Sequence, residues 1–140
     1  MARRRYQRVA QVVTVDGDYG SYPAEGSLTL SLLDGVKARE GVAQVTSRAG
    51  VTLVFNDAIF NMPHGTGVSG WLLRSVTASS GGPRVSRLMK LFVISDRDAF
   101  RAHLLRLAST PRLIRVIVSH HEMMEGDAAR AGLQAALATV

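Results

Sequence analysis

The chain predicts an α/β (α+β) domain in which a β-meander is followed by a helix, a strand and a last helix. Three observations carry this. The first 60 residues hold short β-branched or alternating runs separated by dense turn formers. The last third holds a helix-spaced segment, the strand-like run Leu113 to Val118, LIRVIV, and an Ala-rich amphipathic segment. Finally, two apolar runs end in polar, chemistry-bearing side chains. Val51 to Phe55, VTLVF, runs out into Asn56-Asp57, and LIRVIV runs out into Ser119-His120-His121-Glu122.

Taken in order, Arg8 to Val15 alternates loosely and reads as a strand. Asp16 to Pro23 is dense in turn formers and reads as a loop. Ser27 to Leu33 has period two, with Leu28, Leu30 and Leu32 on one face and Ser27, Thr29 and Ser31 on the other. Asp34-Gly35 is a turn signal, and Val42 to Ser47 alternates again. Arg48-Ala49-Gly50 turns the chain into the central strand Val51 to Phe55.

The middle of the chain is less regular. Asn61 to Gly70 holds Pro63, Gly65, Gly67 and Gly70 and reads as an irregular loop. Trp71 to Val76 is long enough for one or two helical turns, and Ala78 to Pro83, ASSGGP, reads as a flexible break. Val85, Leu88, Met89 and Phe92 recur at helical spacing across Arg84 to Phe92.

Ser95 or Asp96 can cap a helix from Arg97 to Ser109, with Phe100, Leu104, Leu107 and Ala108 on its apolar face. Thr110-Pro111 ends it. The final helix spans about Asp127 to Ala138, with Leu133 and Leu137 at i, i+4.

With 140 residues and a 46% apolar share, the chain is expected to be one domain, 1–140, with a real core. There is no cysteine, so any metal must be held by His, Asp, Glu or water. No run approaches the roughly 18 apolar residues of a membrane span. The basic start, Met1 to Tyr6, lacks the apolar stretch of a signal peptide. These features set the expectation of a cytoplasmic protein without a membrane partner.

The net charge of +6 comes almost entirely from Arg. Excess Arg can mark a nucleic-acid surface or a plain solubilising one. The Arg residues are spread out, and no aromatic side chains are interleaved with them as stacking platforms, so nucleic acid is not the expected partner.

Asp57 and His120 are the leading candidates for chemistry. Ligands of α/β sheets bind outside the carboxyl ends of strands, and Asp and His are ordinary ligands of zinc or iron. Side-by-side strands would bring the two together. The alternatives are an Asp57 that accepts backbone N–H bonds and a His hydrogen-bonded at a sheet edge. His120 and His121 point to opposite faces of a strand, and His120 is the expected partner of Asp57. His64, in the Gly-rich loop, is either a third ligand or an exposed loop residue. His103 lies beside Phe100 and Leu107 and reads as a boundary residue. Ser119 has no matching triad, and Gly65-Thr66-Gly67 lacks the ending of a phosphate loop.

Several stretches together carry a family resemblance. They are Asp34-Gly35, Glu40-Gly41-Val42, Gly50 to Asp57, Phe60-Asn61, Asp96, Arg115 to His120, and Asp127-Ala128-Ala129. The chain resembles the C-terminal half of a metallo-β-lactamase-fold protein, from a branch of that superfamily in which such a tail closes the domain. The resemblance implies half of an αββα sandwich. It also implies that Asp57 bridges two metals and that His120 is a ligand of the second.

The departures are definite. The superfamily's main motif, His-x-His-x-Asp-His, lies in the N-terminal half. The four histidines here, His64, His103, His120 and His121, form no such motif. The additional ligand His between the halves is also missing, and His121 stands where relatives place Gly.

Three function classes follow. One is a half-domain that is non-catalytic or incomplete alone and self-associates, as a homodimer or with a partner subunit, because half a sandwich leaves an apolar sheet face in water. A second is a metal-dependent hydrolase using zinc, iron or manganese, with Asp57, His120 and His64 as ligands and a partner chain supplying the rest. A small-ligand or nucleic-acid binding module is the third reading.

Overall fold

The computed structural model describes Val12, Thr14, Tyr19, Tyr22, Pro23, residues 26–37 and residues 40–140. The strand expected over Arg8 to Val15 and the loop after it fall largely outside the described residues. The strands are β1 (Leu28–Leu32), β2 (Gly41–Thr46), β3 (Val51–Phe55), β4 (Phe60–Met62), β5 (Gly82–Arg84), β6 (Leu113–Ile117) and β7 (Met124–Glu125). The α-helices are α1 (Gly67–Trp71), α2 (Arg97–Ala108) and α3 (Asp127–Leu137), with π-helical turns at Leu72–Val76 and Met89–Val93.

The main sheet has the order β1-β2-β3-β6-β7, and β4 and β5 form a small second sheet. β1, β2 and β3 are the expected meander, with antiparallel pairing throughout. β6 then lies parallel to β3, with Leu53 opposite Val116 and Val54 opposite Ile117. A parallel neighbour needs a long crossover, which here includes β4, β5 and α2. The sheet is therefore mixed, and the chain is a mixed α/β domain.

Alternation decides which side of the sheet faces the core. Val51, Leu53 and Phe55 of β3 are buried, whereas Thr52 and Val54 between them are half-buried. Leu53, Phe55, Val42 and Val116 share one core with Phe100 and Leu104 of α2 and Ala129 and Leu133 of α3. Both long helices thus cover the same face.

The opposite face is also apolar. Register places Leu30, Ala43, Val54 and Ile117 in one row, and Leu28, Val45 and Thr52 in the next. All of these are half-buried. At one end the Tyr19 ring lies where a Cβ on Gly41 would stand.

α2 starts as expected: Asp96 Oδ1 accepts the Ala99 N–H at 3.0 Å. Its far end is tied to α3, because Arg130 donates to the Ala108 carbonyl at 2.7 Å and to the Thr110 carbonyl at 3.2 Å.

The middle of the chain departs from the expected loops. Asn61 and Met62 belong to β4, and Gly82 and Pro83 pair with them in β5. The ASSGGP stretch is not a surface break, since Ser79 and Ser80 are buried. The Thr77 and Ser79 hydroxyls bond each other at 2.7 Å, and Ser80 Oγ meets His64 Nδ1 at 3.2 Å. Paired hydroxyls make such burial tolerable.

Candidate functional site

β3 and β6 are adjacent and parallel, so their carboxyl ends lie on one rim of the sheet. Residues two or three positions past each end therefore meet. His120 Nε2 stands 3.0 Å from Asp57 Oδ1. A carboxylate only accepts, so the imidazole N–H is the donor. Both side chains are about half exposed, at 42% for His120 and 54% for Asp57.

The pair is held by neighbours that composition alone does not reveal. The Phe60 ring stacks on the His120 imidazole, with centroids 4.6 Å apart and planes 2° from parallel. Phe60 opens β4, so the small sheet supplies a wall for the imidazole. Asn61, the next residue, donates its backbone N–H to the His120 carbonyl at 3.4 Å and its side-chain amide to the Glu122 carbonyl at 2.8 Å. Ser119 Oγ donates to Asn56 Oδ1 at 3.1 Å, a second link between the two strand ends.

The Asp57 backbone is fixed from below, its N–H bonding to Glu40 Oε2 at 3.1 Å. Glu40 is buried. Burial pushes its carboxyl above the ordinary value of 4.5; the Asp57 N–H pulls it down, and the Asp57 charge pushes it up again.

His120 is the histidine that faces Asp57, as expected, but strand alternation is not the cause. The strand has ended at Ile117, and His121 takes a left-handed conformation with φ of 75°. That conformation turns it toward Glu122, with 3.8 Å between Nδ1 and Oε1. His64 bonds Ser80 instead of joining the pair, and its ring lies against Gly81. The structure thus brings Asp57 and His120 together and leaves His64 on the β4–β5 side.

A second carboxylate–imidazole contact lies at the turn after β1. His103 Nδ1 accepts the Asp34 backbone N–H at 2.9 Å, and Arg106 bonds the Asp34 carboxylate. Burial pushes the His103 pKa down, so the neutral ring that this hydrogen bond needs is also the favoured one. This cluster fastens α2 to the sheet.

Asp57 and His120 match a divalent metal in donor type, one carboxylate oxygen and one imidazole nitrogen. Two zinc ligands at about 2.0–2.2 Å from the ion across a tetrahedral angle stand about 3.3–3.5 Å apart. The observed pair would have to open by only a few tenths of an ångström. The number of ligands does not match, because a catalytic zinc takes three protein ligands. Among the described residues no group of three or more His, Asp or Glu could hold a metal ion.

Together these features define a class: a mixed α/β domain with an exposed carboxylate–imidazole pair at the carboxyl rim of its sheet. Comparison of the chain with protein-family models and with curated proteins gave no match.

Proposed function

We propose that this chain is one half of a metallo-β-lactamase-like sandwich, non-catalytic or incomplete alone, which self-associates and contributes two ligands to a shared metal site. The observation that carries the reading is the Asp57–His120 contact of 3.0 Å at the ends of adjacent parallel strands. Structural asides at a sheet edge do not require an imidazole stacked on Phe60 and aimed at a half-exposed carboxylate. That arrangement suits a ligand pair whose imidazole is already oriented by a neighbouring ring. The half-buried apolar face of the sheet supports self-association.

In this role Asp57 and His120 would hold zinc, iron or manganese, and the metal would supply Lewis acidity. Phe60 fixes the imidazole plane, and Glu40 fixes the Asp57 backbone. The remaining ligands would come from a second copy or a partner chain, which would turn the half-site into that of a metal-dependent hydrolase.

Metal content of protein purified without chelator, followed by zinc titration, tests this. The parent chain should bind zinc weakly, and Asp57→Ala and His120→Ala should each weaken binding by about tenfold or more, since even outer-sphere losses reach that size. Zinc affinity unchanged by both substitutions would remove the proposal.

A further inference from the structure

Two short helical segments present their apolar sides to solvent. In α1 and the π-helical turn that continues it, Val68, Trp71, Leu72 and Val76 are exposed, from 46% to 84%. Their spacing of i, i+3, i+4 and i+8 is that of a core-facing stripe, yet the buried residue of this segment is Gly70 on the other side. Near the second π-helical turn, Leu88, Leu91 and Phe92 are exposed, from 50% to 66%, while Val85 and Met89 are buried. The two segments are joined at one end: the Arg87 N–H bonds the Thr77 carbonyl at 2.8 Å, and its guanidinium bonds the Ser75 carbonyl.

The charge along this stretch of sequence has one sign. Between Asp57 and Asp96 the sequence contains no Asp or Glu, but it contains Arg74, Arg84, Arg87 and Lys90. Partial burial, and then the charges of Arg97, Arg87 and Arg84, push the Lys90 pKa down, and the Lys90 ammonium donates to the Thr139 carbonyl at 2.7 Å. Lys37 adds another cation, with Nζ 3.3 Å from the Phe92 carbonyl.

We infer that this helical pair is a peripheral docking surface for an anionic lipid bilayer, with the apolar side chains entering the interface and the cations meeting lipid headgroups. A second copy of the chain is disfavoured because apposing the same patch would bring like charges together. Exposed Trp, Phe and Leu beside Lys and Arg are the composition of an interfacial anchor. Each cation near an anionic surface adds attraction that salt weakens. No helix of the described residues is long and apolar enough to cross a membrane; surface adsorption does not require one. The expectation of no membrane partner, drawn from the absence of a span, is what this inference revises.

Trp71 is the only tryptophan of the chain, so its fluorescence reports on this surface alone. The full chain is mixed with vesicles of phosphatidylcholine, or of phosphatidylcholine with about one-third phosphatidylglycerol. Partitioning is read by co-sedimentation and by the Trp71 emission maximum. Binding to the anionic vesicles with a blue shift is expected, as is its loss as salt rises. Leu91→Ser with Phe92→Ser should lower partitioning by about tenfold or more while leaving thermal unfolding unchanged, because both side chains are already in water.

Absence of binding to anionic vesicles at low salt overturns the inference. So does binding that ignores lipid charge. A third overturning result is Trp71 emission that shifts with protein concentration in vesicle-free buffer, together with a dimer that the double substitution dissociates; the occupant would then be a second copy.

Discussion

At the scale of single residues, Glu40 links the rim pair to the interior. It is a buried carboxylate whose oxygen holds the Asp57 N–H. Its raised pKa has a definite thermodynamic sign. The folded state disfavours the ionised form, so stability is fullest below the ordinary value of 4.5 and is lost as pH rises through the raised one. Glu40→Gln keeps an acceptor for Asp57 and removes the charge. Its stability relative to the parent should rise with pH across that window, as read by urea unfolding at several pH values. Glu40→Ala should cost about 1–3 kcal/mol by stranding the Asp57 N–H. A parallel pH profile for parent and Gln variant would show that Glu40 is not the titrating group. Asp57 and His120 were legible in the sequence because each closes a clear strand. The Glu40 contact was not, because it depends on how the turn before β2 approaches the end of β3, and no local pattern encodes that.

At the scale of elements, the meander, α2, β6 and α3 follow from period, caps and Thr110-Pro111, and their boundaries agree with the sequence reading to within a residue or two. The middle of the chain did not follow. Val85, Leu88, Met89 and Phe92 look like one helical face over Arg84 to Phe92, but Arg84 ends β5 and Val85 lies before the helical turn; within the turn Met89 is buried and Leu88 and Phe92 are exposed. Periodicity cannot orient a segment whose opposite sides are both apolar. The pairing of β4 with β5 was hidden for another reason: Pro and Gly in a short run read as breakers, yet here they sit in a two-stranded ladder that needs few bonds. One element junction is testable. Gly35 has φ of 72°, and a Cβ there would meet the Asp96 carbonyl and stand 2.7 Å from the Phe100 N. Both contacts are backbone at the start of α2, so neither can yield. Gly35→Ala should therefore destabilise the fold by about 2–4 kcal/mol, combining left-handed strain with the displaced helix. A loss under about 0.5 kcal/mol in urea unfolding would mean that α2 docks more loosely than its contacts indicate.

At the scale of the molecule, the arginine excess has a structural use. Arg101 donates to the Leu137 carbonyl at 3.2 Å and Arg130 to one carbonyl at the end of α2 and one just past it. Arg115 pairs with Glu125 across β6 and β7. These guanidiniums close helix ends and strand edges. The proposed self-association would use the second face of the sheet, where Leu28, Leu30, Val45, Val54 and Ile117 are half-buried. Four strands of five or six residues and the two-residue β7, at about 4.8 Å spacing and about 3.3 Å rise, cover only about 360 Å² in projection. Interfaces of that size are at the weak end, below the roughly 800 Å² per partner of standard complexes. The expected dimer is thus a concentration-dependent one. Light scattering across about 1–100 μM should show mass rising from monomer toward dimer. Leu30→Glu, which places a charge in the row with Ala43 and Val54, should hold the chain monomeric with its helices intact by circular dichroism. Leu91→Ser with Phe92→Ser should leave this equilibrium untouched, because those side chains belong to a different surface. A parent chain that stays a folded monomer at the highest concentration would mean that the half-buried face needs no second copy, and self-association would have to be given up while the metal-ligand reading of Asp57 and His120 stood on its own titration.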